Sequence, residues 1–159
     1  MKKILTIRFL ISLVSIAAVL AVLSRSIVSG ADHAHGPPHG GTPVLVAEHK
    51  FHLELVRDGA AGLMQAYVFD DHLEKYVAVR ETNFMLRATF AGRTESVEFK
   101  RAPNPSDKKL PGTSSLFEAR ADWIKAATNF NGVIPTITLN RQTFTNITFA
   151  FPKGTQHTH

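Results

Sequence analysis

Short segments in which apolar and polar residues alternate follow one another along this chain. In Phe51-His52-Leu53-Glu54-Leu55-Val56, the residues Phe51, Leu53 and Leu55 fall on one side and His52 and Glu54 on the other. A period of two is that of a strand with one buried face. Phe84 to Phe90 repeats the pattern, with Phe84, Leu86, Ala88 and Phe90 on one side and Arg87 and Thr89 on the other. Leu63–Phe69, Tyr76–Val79, a strand led by Val97 and Phe99, Ser115–Ala121, Ile134–Leu139 and Phe144–Phe151 complete a set of about eight strands. Arg57 to Gly62 reads as a hairpin turn, Ala91-Gly92-Arg93 as a second, and Asn140-Arg141-Gln142 as a third. Asp122 to Phe130 reads as a turn or two of helix, ended by Asn131-Gly132, with Trp123 packed at the edge of the sheet. Many short strands at close spacing predict an all-β fold, a small antiparallel Ig-like β-sandwich.

Cysteine is absent, so neither a disulfide nor a thiolate metal site is available, and the core must hold the domain unaided. The first 31 residues carry Lys2, Lys3 and Arg8 ahead of an apolar run from Phe9 to Leu23, with small residues at Ser29, Gly30 and Ala31. This is the pattern of a secretory signal peptide or, if uncleaved, of a membrane anchor helix. Either reading predicts a periplasmic or otherwise extracytoplasmic protein. The leader also explains the net charge of +5. It holds four of the 18 Lys and Arg and no acid, which leaves 14 basic residues against 13 acidic ones. A near-neutral domain has no electrostatic footprint for nucleic acid. The predicted organisation is a leader over 1–31, a His/Gly/Pro-rich linker over 32–42, a β-sandwich over 43–152 and a His-containing tail over 153–159.

The chemistry-bearing residues are mainly the eight histidines. His33, His35 and His39 lie in the Gly/Pro-rich segment, His49 and His52 at the first long strand, His72 beside Asp70 and Asp71, and His157 and His159 at the end. Imidazole with carboxylate oxygen suits zinc, copper(II) or nickel rather than calcium. His52 and Glu54, two apart on a strand, share a face that is either a metal-binding face or the wet side of the sheet. The candidate metal ligands are therefore His33, His35, His39, His49, His52, Asp70, His72, His157 and His159. Cleavage after Gly30 would add a free amine on Ala31 with His33 third in the chain, a planar nitrogen set that favours Cu(II) or Ni(II). No Gly-x-Ser-x-Gly, His-Glu-x-x-His or Gly-rich phosphate loop occurs, and the reading is of a non-enzyme. Asn146-Ile147-Thr148 has the form of a glycosylation sequon but lies within a strand pattern.

Several blocks carry a resemblance. His39-Gly40-Gly41-Thr42, His52-Leu53-Glu54-Leu55-Val56, Ala66-Tyr67-Val68-Phe69-Asp70, Phe144 to Phe149 and the closing His157-Thr158-His159 resemble a group of small exported bacterial proteins. In that group an HGG-type segment precedes an HLELV-type and a YVLD-type strand. The resemblance implies an association with heavy-metal efflux and resistance, and singles out His39, His52, Asp70, His157 and His159. Phe69 stands where the group tends to have Leu, and the loop from Arg101 to Gly112 has no counterpart. Together these readings predict an exported protein, monomeric or weakly associating, that buffers a divalent transition metal or delivers it to a membrane efflux assembly. The alternative is a non-catalytic envelope protein–protein interaction module in which the histidines are incidental.

Overall fold

The computed structural model describes residues 36–47, 50–107 and 110–155. Eight strands follow in order: β1 (Thr42–Val46), β2 (Phe51–Asp58), β3 (Leu63–Phe69), β4 (Asn83–Phe90), β5 (Arg93–Ala102), β6 (Leu116–Arg120), β7 (Phe130–Leu139) and β8 (Gln142–Phe151), with one helix, α1 (Asp122–Ala126), between β6 and β7. They form one antiparallel sheet in the order β1-β2-β3-β6-β5-β4-β7-β8. The all-β architecture read from the alternation is thus the architecture observed, with its layers supplied by a single sheet curled round one core.

The two ends of that sheet come together. Thr155 donates its backbone N–H to the carbonyl of Pro43 at 3.2 Å. Its hydroxyl accepts the N–H of Leu45 at 2.8 Å, and the Thr42 hydroxyl donates to the Pro152 carbonyl at 3.2 Å. The segment after β8 therefore lies along β1, which satisfies edge groups that would otherwise be open to pairing with another chain.

The core follows the alternation. Val44, Val46, Leu53, Leu55, Met64, Ala66 and Val68 face inward from β1–β3; Phe84, Leu86, Ala88, Val97 and Phe99 do so from β4 and β5. Phe84 stacks on Phe99 at 4.7 Å between ring centres, and Phe117 meets Phe84 edge-on at 5.3 Å. Trp123, only 9 % exposed, is part of this core rather than an edge residue, set among Phe90 and Phe130.

Some elements differ from the reading by periodicity. Tyr76–Val79 is not a strand; it makes only single bridges, Phe69 to Tyr76 and Val79 to Ser114. Asn131-Gly132 does not interrupt the chain but lies inside β7, where Gly132 is required because a Cβ there would enter the ring of Phe149. The helix is correspondingly shorter, ending at Ala126. Between β7 and β8 the turn at Asn140-Arg141 is as read, with both residues at positive φ, the geometry of a type I′ hairpin. Among the described residues no helix is long and apolar enough to cross a membrane; the leader and its cleavage lie outside them.

Candidate functional site

The site grows from the outer face of β2 and β3. Leu53 and Leu55 point into the core, so His52, Glu54 and Val56 must point the other way. Outward-facing Glu54 is nevertheless completely buried. What covers it is the segment that composition marks as a loose linker. Pro37-Pro38-His39-Gly40 forms a turn, closed by the Gly40 N–H donating to the Pro37 carbonyl at 2.9 Å, with Gly40 at φ +67°. The turn lays His39 and Gly41 on β2. Gly41 passes so close that a Cβ there would come within 2.6 Å of the Leu55 carbonyl and 2.9 Å of Glu54 Cγ. Thr42, also placed in the linker by composition, already belongs to β1.

The Glu54 carboxylate is fully engaged. Oε1 accepts the backbone N–H groups of His39 and Gly41, each at 2.8 Å, and Oε2 lies 2.7 Å from His39 Nδ1. An ionised carboxylate can only accept, so Nδ1 carries the proton. The other ring nitrogen, Nε2, lies 3.0 Å from the Tyr76 hydroxyl. In neutral imidazole Nε2 holds a lone pair and accepts that O–H; in the imidazolium the direction reverses. Cross-strand register explains the remainder. Glu54 sits directly opposite Tyr67, and a ring bonded to Glu54 is therefore above Tyr67. His39 stacks on Tyr67 at 3.9 Å and 16°. Phe69 and Tyr76 stack at 4.8 Å, forming the far wall. Burial holds the Tyr67 phenol above its ordinary range, reinforced by the charges of Tyr76, Glu118 and Glu54.

The other candidates are arranged differently. His52, paired in register with Phe69, has Nδ1 3.2 Å from the backbone carbonyl of Asp70, which joins these two positions through the Asp70 main chain. That carboxylate accepts the N–H groups of Glu74 and Lys75 at 3.0 and 3.2 Å and shapes the turn after β3. His72 is exposed, 3.6 Å from Asp71. His52 and Glu54 share a strand face, as expected, but Glu54 takes His39 as its partner. Among the described residues no three His, Asp or Glu side chains are placed to hold one ion. His33, His35, His49, His157 and His159 lie outside the described residues. Tyr67 and Tyr76 escape a reading of the sequence because nothing in their local pattern marks them; only the register that seats Tyr67 opposite Glu54 could do so.

The arrangement supplies one oriented imidazole, backed by a buried carboxylate and capped by a phenol, with the imidazole side chain 29 % exposed. Such a carboxylate–histidine pair fixes the tautomer and the orientation of the ring. The chain matches no protein-family model, no curated protein and no solved structure.

Proposed function

We propose that this is an exported, non-catalytic protein that binds a divalent transition metal, copper(II) or zinc with nickel as a further candidate, in metal buffering or in delivery to an efflux assembly. The observation that supports this reading is the Glu54–His39 pair. A buried acceptor holds Nδ1 of one imidazole and leaves Nε2, 3.0 Å from the Tyr76 hydroxyl, as the nitrogen open to a metal, the carboxylate support found behind metal-bound histidines. In this reading the metal takes the place of the Tyr76 hydroxyl at Nε2. Water supplies further donors, and His33, His35, His157 and His159, outside the described residues, are the other proposed ligands. Asp70 and His72 have a lesser part, because Asp70 is committed to its turn and His72 stands apart.

A second reading is favoured by a different observation: every side-chain polar atom of the Glu54–His39–Tyr76 group already has a partner inside the protein. The group would then be a clasp that fastens the segment before β1, and the protein an interaction module of the cell envelope. Calorimetric titration of the purified protein with zinc and with copper(II) separates the two. Metal binding predicts a dissociation constant tighter than about 100 µM, weakened by about tenfold or more in His39→Ala and in Glu54→Gln. Binding weaker than that, or binding indifferent to both substitutions, leaves the clasp.

A further inference from the structure

The outer face of the β5–β4–β7 part of the sheet carries a groove of about 770 Å³ that the His39 group does not touch. Its origin is a kink. In β7, Ile134 and Ile137 both face the core, so Pro135 and Thr136 together form the step between them. At the same level of β8, Asn146 has φ +54° and is exposed beside exposed Thr145. Proline has no N–H for a ladder, and regular β4–β7 pairing is confined to Arg87–Thr89. The hollow below that pairing is lined by Asn83, Met85 and Arg87 of β4 and by Thr136 and Thr138 of β7.

Three properties of this hollow point to an occupant. Met85, 42 % exposed, lines it, and Leu110, 60 % exposed, lines an adjoining groove of about 390 Å³ that shares Glu81 as its wall. These are the large hydrophobic side chains left exposed among the described residues. Around them, Arg80, Arg87 and Arg141 have no carboxylate within ion-pair distance among the described residues, whereas Glu98, opposite Met85, is already bound to Lys100 and Asn83. Finally, Glu81 Oε1 accepts the Arg141 N–H at 3.2 Å, while its Oε2 is buried without any hydrogen-bond partner. An apolar spot ringed by unpaired guanidinium groups, with one carboxylate oxygen lacking a donor, is complementary to a polypeptide: acidic side chains for the arginines, an aliphatic one for Met85, and a backbone N–H for Glu81.

We propose that this groove is a docking surface for an extended acidic segment of a partner protein carrying an aliphatic residue. An extended peptide in such a groove is selected by its alternate side chains. The test uses a fluorescein-labelled peptide alternating glutamate with leucine, and the same peptide with lysine for glutamate, against the full chain. The acidic peptide should bind saturably below about 1 mM. It should weaken about tenfold in Met85→Glu, and by at least as much in the double variant Arg87→Glu with Arg141→Glu. Amide shifts on titrating the unsubstituted protein should centre on Asn83–Arg87 and Thr136–Thr138, which decides the matter even if a variant fails to fold. Absence of binding, equal binding of the lysine peptide, or shifts centred elsewhere would overturn the proposal. So would a dimer in sedimentation that Met85→Glu dissolves, which would assign the face to a second copy of this chain. None of these outcomes depends on metal binding at His39.

Discussion

Glu54 grips His39 at two points: one carboxylate oxygen takes the backbone N–H at 2.8 Å and the other the ring Nδ1 at 2.7 Å, across fifteen residues of sequence. The acceptor is fully buried and its bonds to these donors are partly so, and its loss leaves them short of a partner at the wall of the cavity it vacates. Glu54→Ala leaves the His39 and Gly41 N–H groups unsatisfied, at about 1–3 kcal/mol each where water cannot reach them. Urea denaturation should show a loss of about 2 kcal/mol or more at unchanged m-value. Glu54→Gln, which keeps one acceptor oxygen, should lose less. A double-mutant cycle with His39→Ala should give a coupling energy of about 0.5–3 kcal/mol. A coupling near zero would mean that the pair does not hold the segment.

Gly41 is the steric counterpart of that grip. Its Cβ would meet the Leu55 carbonyl at 2.6 Å and Val56 Cγ2 at 2.9 Å, backbone and a branched side chain that cannot step aside. Gly41→Ala should therefore lift the segment from β2 at a cost of about 1–3 kcal/mol. Gly36 is the control, because a methyl group at that position would meet nothing within 4 Å, so Gly36→Ala should change stability by less than about 0.5 kcal/mol. Equal melting temperatures for the two variants would contradict the close approach.

The contrast between these two glycines shows where sequence reasoning stops. Alternation alone places Leu53, Leu55, Phe84 and Leu86 in the core, because side-chain direction in a strand is fixed by parity. Parity also puts His52 and Glu54 on one face. It cannot say that this face is covered, since the cover comes from Pro37 to Gly41, a stretch whose composition reads as linker. Nor can it pair Glu54 with Tyr67, because cross-strand register is a property of two segments at once. Periodicity makes Tyr76 the start of a strand; in the fold it reaches His39 from an irregular connection whose path is set by the Asp70 turn. Within β7, Asn131-Gly132 carries a strong local turn signal, yet tertiary packing overrides it: the glycine is there to admit Phe149.

Two groups tilt stability with pH in opposite ranges. For Asp70, burial works to raise the carboxyl, but the N–H groups of Glu74, Lys75 and His72 and the charge of Lys75 outweigh it and hold it below its ordinary 3.8. A carboxyl depressed in the folded state contributes stability that is complete above the unfolded value and is lost as pH falls through the folded one. Asp70→Asn should flatten the acid limb of the stability profile. Tyr67 is the reverse, raised above 10.0 first by burial and then by its charged neighbours. Its contribution is complete below that ordinary value and is lost as pH rises through the folded one. Tyr67→Phe should flatten the alkaline limb. Urea midpoints across both ranges check the pair of expectations, and an unchanged profile in either variant would refute the corresponding assignment.

Far from His39, the loop between β5 and β6 is long and rich in proline, and a carboxylate within it helps to fix its C-terminal end. Asp107 accepts the backbone N–H of Ser115 at 2.7 Å and its hydroxyl at 2.6 Å, and Ser115 is completely buried. The Ser115 carbonyl in turn receives the Val68 N–H at 2.8 Å, which ties the loop to the end of β3. Asp107→Ala strands two buried donors next to that tie and should cost about 2 kcal/mol. Because the damage is local, amide exchange should quicken from Asn104 to Leu116 and at Val68, while the β7–β8 hairpin keeps its protection. Uniform acceleration across both regions would show instead that Asp107 supports the whole domain.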